Sequence, residues 1–271
     1  MTFDFQGKQI YYEVHGKGKP IVILNGIMMS TSSWQMFVPT LSENNMLVLV
    51  DFLDQGKSHY MTENYDQSLQ AEVLLSLLDE LKLEKASIMG ISYGGEVAIK
   101  FAIKYGNRVD RLLLFNTTAK TSEWLRDIGK GWNRIGETLD GQTYYDATIP
   151  VIYSCGFYGR EIEWMRKREK LLVPLFSDPT FQARMRRLVL SSDYHDCSKE
   201  LHKINNPTLV VTCTEDTLIP KVEQDYLVTH IKNSQYVILP DSGHGSMYEK
   251  PLLFAALILG FVNAKDTEYK I

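Results

Sequence analysis

Short apolar runs that close on a polar residue or glycine alternate with helical stretches along this chain, and that alternation restricts the fold more than any other feature. Residues 20–25 and 46–51 are continuous apolar segments ending in Asn25 and Asp51, the pattern of strands buried on both faces of a parallel sheet. Residues 66–83 have helical spacing, with Leu69, Val73, Leu77 and Leu81 on one stripe and Asp66 placed to cap the helix. A strand over 86–90, a helix over 93–105 closed by Gly106, and a strand over 111–117 follow with short joints. Strand, helix, strand is how a chain makes parallel neighbours, because each pairing needs a crossover. Residues 3–5 and 10–14 read as edge strands at the start.

Between about residues 119 and 202 this rhythm stops, and amphipathic segments rich in aromatics and arginines replace the apolar runs. It resumes at 207–213 and 235–240 and ends in a helix from Pro251. The expectation is an α/β core formed by residues 1–118 and 203–271, interrupted by a helical insertion over 119–202 that is too long for a structureless loop.

Composition narrows the class. The 44% hydrophobic content is enough for a large core, and 29 Lys plus Arg against 33 Asp plus Glu gives a net charge of -4. Nucleic-acid binding usually shows as a basic excess, so it is not expected. The 120–200 stretch is relatively basic, with 13 Lys or Arg and 12 Asp or Glu against 16 and 21 elsewhere. That favours an acidic substrate mildly; solvated arginines on an exposed helix explain it at least as well. The apolar run over 252–262 is shorter than the roughly 20 residues a membrane span needs. No signal-peptide pattern opens the chain, and Cys155, Cys197 and Cys213 form no CxxC pair. These features point to a reducing, cytoplasmic setting with no membrane partner.

Chemistry enters at Gly90-Ile91-Ser92-Tyr93-Gly94, a G-x-S-x-G motif. The motif alone is weak, since roughly one chain in ten of this length would carry it by chance. Its setting, after an apolar strand and before an amphipathic helix, is that of a nucleophile elbow. A serine hydroxyl needs a base, and His244, in Asp241-Ser-Gly-His-Gly245 after the 235–240 strand, has the right placement. A carboxylate must then orient the imidazole. Asp216 follows the 207–213 strand closely, with its neighbour Glu215 as rival. Each of these residues lies beyond the C-terminal end of an apolar strand, where open α/β folds gather their sites.

With Ser92, Asp216 and His244 in that chain order, the sequence resembles the α/β-hydrolase superfamily with a helical cap inserted after the sixth strand. The resemblance covers nearly the whole chain. It implies a mostly parallel eight-stranded sheet with the insertion as a lid over the strands' C-terminal edge. It also implies an oxyanion hole from the N–H groups of Ile27 and Tyr93. The family's usual His-Gly loop reads Asn25-Gly26-Ile27-Met28 here. The 51–58 loop resembles D-x-R-G-x-G-x-S with Leu53 for arginine and Asp54 for glycine, a structural turn beside the site. Phe115-Asn-Thr-Thr-Ala-Lys120 is similar to the stretch after the sixth strand in 3-oxoadipate enol-lactonases, which also tend to carry asparagine in the oxyanion loop.

The resulting expectation is a serine hydrolase of a small-molecule carboxylic ester or lactone, acting through an acyl-enzyme. Thioester or C–C cleavage by the same triad, or a non-catalytic ligand receptor on the same fold, are the alternatives. No metal or organic cofactor is expected: the chain has no HExxH, EF-hand or Cys/His metal spacing, no G-x-G-x-x-G opening a helix and no Walker A. Serine at the elbow argues against the dehalogenating and epoxide-opening relatives, which use aspartate there. Aromatics of the insertion, among them Trp124, Trp132, Tyr153 and Trp164, could line a pocket or pack the insertion onto the core. The sequence does not define an oligomeric state.

Overall fold

The computed structural model describes residues 1–265. Strands β1 (Thr2–Phe5), β2 (Lys8–His15) and β3 (Lys19–Leu24) open it, and helix α1 (Val38–Leu41) leads into β4 (Asn45–Val50). Helix α2 (Ser68–Glu80) precedes β5 (Ala86–Ile91), and α3 (Tyr93–Lys104) precedes β6 (Val109–Phe115). Then come α4 (Glu123–Gly136), α5 (Gly141–Thr148), α6 (Cys155–Arg160), α7 (Ile162–Phe176) and α8 (Pro179–Ser192). Strand β7 (Thr208–Cys213), α9 (Lys221–His230), β8 (Ser234–Leu239), α10 (Ser246–Glu249) and α11 (Pro251–Asn263) complete the chain.

The strands form one eight-stranded sheet in the order β1-β2-β4-β3-β5-β6-β7-β8. β2 runs antiparallel to both β1 and β4, and all remaining pairs are parallel. Side chains alternate between faces with period two. Val22, Leu24, Val48, Ile88 and Leu112 pack toward α2 and α3 on one face. Ile21, Ile23, Leu47, Met89 and Leu113 pack toward Phe254 and Ile258 of α11 on the other. Both faces are covered, which is why the central strands read as unbroken apolar runs.

Two of the element boundaries that differ from the sequence expectation have a local cause. Helix α2 starts at Ser68, because the Asp66 carboxylate accepts the Ser68 N–H at 2.8 Å and holds a turn ahead of the helix rather than its cap. Strand β6 ends at Phe115, where Asn116 takes φ 46° and breaks the extended backbone.

Strand order reverses at β3: β4 lies on one side of it and β5 on the other. The loops leaving the C-terminal ends of β3 and β5 therefore diverge and open a crevice. Helices α4 to α8 build an aromatic cluster of their own around Trp132, Tyr144, Tyr145 and Phe176, and it meets Leu218 and Ile219 from the loop after β7. Polar ties hold these helices to the core, including Tyr93 Oη to Ser191 Oγ at 2.8 Å and the Gly245 N–H donating to the Ile152 carbonyl at 2.8 Å.

Candidate active site

Ser92 sits between β5 and α3 with φ 53° and ψ −124°, a conformation that costs an L-residue about 1–3 kcal/mol. The surroundings hold it there. Its N–H donates to the Phe115 carbonyl at 2.9 Å, and its own carbonyl accepts from Thr117 Oγ1 at 2.8 Å and the Gly95 N–H at 2.8 Å. The flanking glycines are required by space. A Cβ on Gly90 would lie 2.3 Å from the Gly94 carbonyl oxygen, and one on Gly94 would lie 2.3 Å from that of Leu24. The turn is thus tight enough to present the serine at the N-terminus of α3, where the helix dipole favours negative charge.

His244 and Asp216 are brought together. His244 Nδ1 lies 2.8 Å from Asp216 Oδ2, and the Asp216 side chain is fully buried. The other Asp216 oxygen accepts the N–H groups of Leu218 and Ile219 at 3.0 and 2.8 Å, while Asn116 Nδ2 donates to Oδ2 at 2.9 Å. All four acceptor positions of the carboxylate are filled, so Nδ1 meets it as a donor. Glu215, the sequence rival, is exposed and makes no bond to His244. Ser92 and His244 face one cavity but make no hydrogen bond to each other among the described residues. Such contacts often tighten only when substrate is bound.

Asn116 and Ser246 escaped the sequence reading as site residues. Ser246 Oγ donates to Asn116 Oδ1 at 2.9 Å, which orients the amide so that its nitrogen meets Asp216. One signal was present: Asn116 directly follows an apolar strand, as Ser92 does.

The oxyanion-loop asparagine has a structural task. Buried Asn25 donates to the Val50 carbonyl at 2.8 Å and to Gln55 Oε1 at 3.1 Å, and accepts from Trp34 Nε1 at 2.7 Å. Gln55 Nε2 in turn donates to the Gly26 carbonyl at 3.2 Å. Because the C=O and N–H of one planar peptide point opposite ways, this bond fixes the direction of the Ile27 N–H. The N–H groups of Ile27 and Tyr93 have no hydrogen-bond partner among the described residues, and both residues border Ser92 in an adjoining cavity.

The 51–58 loop shapes this region and fastens the insertion to it. Asp51 accepts the N–H groups of Thr31 and Lys57 at 2.6 and 2.8 Å, while burial pushes its carboxyl above the usual range. Asp54 adopts φ 65° and pairs with Arg187 of α8 through contacts of 2.7 and 3.0 Å. Arg184 donates to the Asp54 and Gly56 carbonyls. The departure from glycine at position 54 thus provides an anchor for α8.

The cavity shared by Ser92 and His244 is about 690 Å³, solvent at its mouth included. Its walls are mostly apolar, with Met28 and Leu218 from the core and Trp132, Ile149 and Tyr153 from the insertion. A neighbouring space of about 500 Å³ reaches Glu96, one turn beyond Ser92 on α3. Burial pushes the Glu96 carboxyl up to about 8, against the Gln67 amide that donates to it at 2.7 Å. The insertion's aromatics divide between roles: Trp132 and Tyr153 line the cavity, Tyr144 and Tyr145 pack the helices together, and Trp124 is exposed. Among the described residues, no group of three or more His, Cys, Asp or Glu converges as metal ligands do.

Comparison with known proteins gives a consistent picture. Residues 19–251 match the family described as alpha/beta hydrolase fold. A crystal structure of an alpha/beta hydrolase enzyme from a Medee basin deep-sea metagenome library is 48% identical, with a TM-score of 0.98 and full coverage of both chains. The 3-oxoadipate enol-lactonase 1 of Acinetobacter baylyi is 25% identical over 269 residues, 97% of each chain. A 2-hydroxy-6-oxononadienedioate/2-hydroxy-6-oxononatrienedioate hydrolase of Pseudomonas putida is 27% identical over 278 aligned positions, covering 93% of this chain and 91% of that one.

Proposed function

Because this chain belongs to the alpha/beta hydrolase fold family, we propose that it is a serine hydrolase that cleaves a carboxylic ester or lactone through an acyl-enzyme on Ser92. The observation that carries this reading is the opening of a strained Ser92 elbow and a carboxylate-oriented His244 into one apolar cavity. His244 Nε2, the unprotonated nitrogen, takes the proton of Ser92 Oγ as it attacks the carbonyl carbon. Asp216 holds the tautomer and stabilises the imidazolium. The Ile27 and Tyr93 amides receive the oxyanion, with the α3 dipole behind them. The imidazolium then protonates the leaving group, and water activated by the same ring releases the acid. In this reading residues 119–202 are the cap that shapes the acyl pocket, and the remainder is the hydrolytic core.

The lactonase relative supports an ester or lactone as the scissile group. The Pseudomonas putida relative supports C–C cleavage as a second reading with the same triad. An intact serine, histidine and acid, with His244 bonded to Asp216 and Ser92 facing the same cavity, weigh against a receptor without turnover. Three unpaired cysteines support a reducing, cytoplasmic setting. No helix among the described residues is long and apolar enough to cross a membrane.

Labelling with a fluorophosphonate probe tests the nucleophile: the expected result is one adduct, on Ser92, absent in Ser92→Ala. Unlabelled Ser92 in folded protein overturns the reading. A parallel screen of p-nitrophenyl esters, lactones and vinylogous 1,5-diketones separates ester from C–C hydrolysis.

A further inference from the structure

Glu96 lies one turn along α3 from Ser92 on the same face of the helix, and its N–H donates to the Ser92 carbonyl at 3.2 Å. It borders the second space beside Ser92, whose wall is otherwise mostly apolar, with Ile128, Trp132, Val189 and Ile219 among the lining residues. Only 4% of Glu96 is exposed. Oε2 accepts from Gln67 Nε2 at 2.7 Å, whereas Oε1 has no hydrogen-bond partner among the described residues. Gln67 Oε1 is unpartnered and sealed in; Glu96 Oε1 is unpartnered and keeps contact with open space, and the space it borders is this cavity. Lys100 acts on the carboxyl from a distance, without an ion pair among the described residues.

The other polar groups on this wall have committed their donors. Thr121 Oγ1 donates to the Ser192 carbonyl at 2.7 Å, Ser192 Oγ donates to that of Val189 at 3.0 Å, and the Arg126 guanidinium donates to the Asp193 and Thr121 carbonyls. Asp193 is half-buried, and its carboxylate is answered by the positive charges of Arg126 and Lys130. Glu96 is different. Burial keeps its carboxyl protonated at neutral pH, and with the Gln67 N–H on Oε2 the acid proton resides on Oε1. Oε1 therefore turns a donor and a free lone pair toward an apolar space. A hydroxyl, itself donor and acceptor, answers both, whereas a charged group would enter that space without a free counter-charge.

Geometry also says which half of a substrate meets Glu96. His244 must reach the leaving atom to protonate it, so the leaving group occupies the cavity that His244 lines. The space at Glu96 is bordered by Ser92, Ile27 and Tyr93 but not by His244, which leaves it to the acyl chain.

We propose that Glu96 is a specificity residue for a hydroxyl on the acyl half of the substrate, so that the ester or lactone opened at Ser92 carries a hydroxylated acyl chain. The choice of the acyl half rests on Ser92 and His244 being the reacting pair, but binding of the hydroxyl can be measured without turnover.

The test has two arms, run on the full-length protein, Glu96→Leu and Glu96→Gln. Four residues of helix advance roughly 6 Å, so the probes carry their hydroxyl across a trans-1,4-cyclohexane ring, which cannot close to a lactone. A methyl group in place of the hydroxyl gives the isosteric control. In the first arm, NMR titration compares trans-4-hydroxycyclohexanecarboxamide with its trans-4-methyl counterpart. The hydroxyl-to-methyl ratio of affinities is expected to fall roughly tenfold to hundredfold in Glu96→Leu, as for loss of a buried hydrogen bond. Glu96→Gln should keep most of the ratio, because its amide N–H replaces the acid O–H. In the second arm, kcat/KM is compared for the p-nitrophenyl esters of the two corresponding acids, with the same pattern expected. A ratio that Glu96→Leu leaves unchanged in either arm overturns the assignment, even if absolute values drop from altered packing. Parent protein that favours the methyl probe in both arms overturns it as well, whether or not Glu96→Leu folds. Hydroxyl binding that depends on Glu96, with neither ester cleaved, leaves the hydroxyl site standing and sinks the hydrolase reading instead.

Discussion

Asn116 Nδ2 donates to Asp216 Oδ2 at 2.9 Å, and this is the same carboxylate oxygen that lies 2.8 Å from His244 Nδ1. The amide therefore helps fix the oxygen that meets the imidazole, and Ser246 fixes the amide. Asn116 is a positioning residue: it meets neither the cavity nor the reacting atoms. Asn116→Ala should lower kcat by up to about 10²-fold with little change in KM, since a small misplacement of the base is costly. Steady-state kinetics on a p-nitrophenyl ester checks this, and a rise in KM at constant kcat would contradict it.

For the proposed triad, Ser92→Ala and His244→Ala should each remove several orders of magnitude of turnover, and the double replacement should cost little more, because the two act as one unit. Asp216→Asn, which favours the wrong imidazole tautomer, should cost about 10⁴-fold. Near-normal turnover by folded Ser92→Ala protein would end this reading.

Gln55 couples Asn25 to the Gly26 carbonyl and so aims the Ile27 N–H. Gln55→Met keeps the length and loses both of these bonds and a third, from the Phe52 N–H to Oε1. It should destabilise the fold by about 1–3 kcal/mol through unpaired buried groups. It should also lower kcat more than it raises KM, because the oxyanion forms only along the reaction. Urea denaturation and steady-state kinetics on one preparation read both effects.

The Asp54–Arg187 pair is almost fully out of water, with side chains 0% and 14% exposed. Arg187→Met leaves a buried carboxylate unpaired and should cost about 3–5 kcal/mol in chemical denaturation. Adding Asp54→Gly removes that carboxylate and relaxes a φ of 65°, so the double variant should regain part of the loss. A double variant no more stable than the single one would refute this account of the loop.

Glu96 gives a pH test with a definite sign. Its ordinary value is 4.5, and burial pushes it up to about 8 in the fold. Between those values the folded chain holds a proton that the unfolded chain has released, so this group's contribution to stability falls as pH rises from about 4.5 to 8. Below that window both states are protonated and the term vanishes. Glu96→Gln should therefore match the parent near pH 4.5 and be the more stable protein at pH 8, by on the order of a few kcal/mol. Melting curves of the two across that window measure the difference while other titrations cancel; parallel curves would refute it.

Much of this protein was legible in its sequence, because the signals involved are local. Apolar runs buried on both faces mark central strands such as β3 and β4, and a 3.6-residue period marks α2. G-x-S-x-G works through sterics within one turn, where Gly90 and Gly94 must lack a Cβ, so Ser92 was readable at its exact place in the chain. Strand punctuation likewise put His244 and Asp216 at the sheet's C-terminal edge. Local signals also misled at Asp66, which has the chemistry of a helix cap, but its carboxylate closes a turn just ahead of α2.

What only the tertiary structure decided are pairings between residues distant in sequence. Asp216 rather than Glu215 meets His244 because the loop after β7 buries one acid and exposes the other. Asn116 reaches Asp216 across a separation of 100 residues, and Arg187 reaches Asp54 across 133. Neither partner's sequence neighbourhood encodes such a meeting. Arg168 is the sharpest case: in the sequence it is one of several basic residues on an amphipathic helix, indistinguishable from Arg166. Packing pairs Arg166 with Glu169 and sets Arg168 against Trp164 and Tyr248 at the cavity wall. The physical reason is that periodicity records which side of an element faces the core, whereas the partner a polar group finds there depends on how separate elements dock.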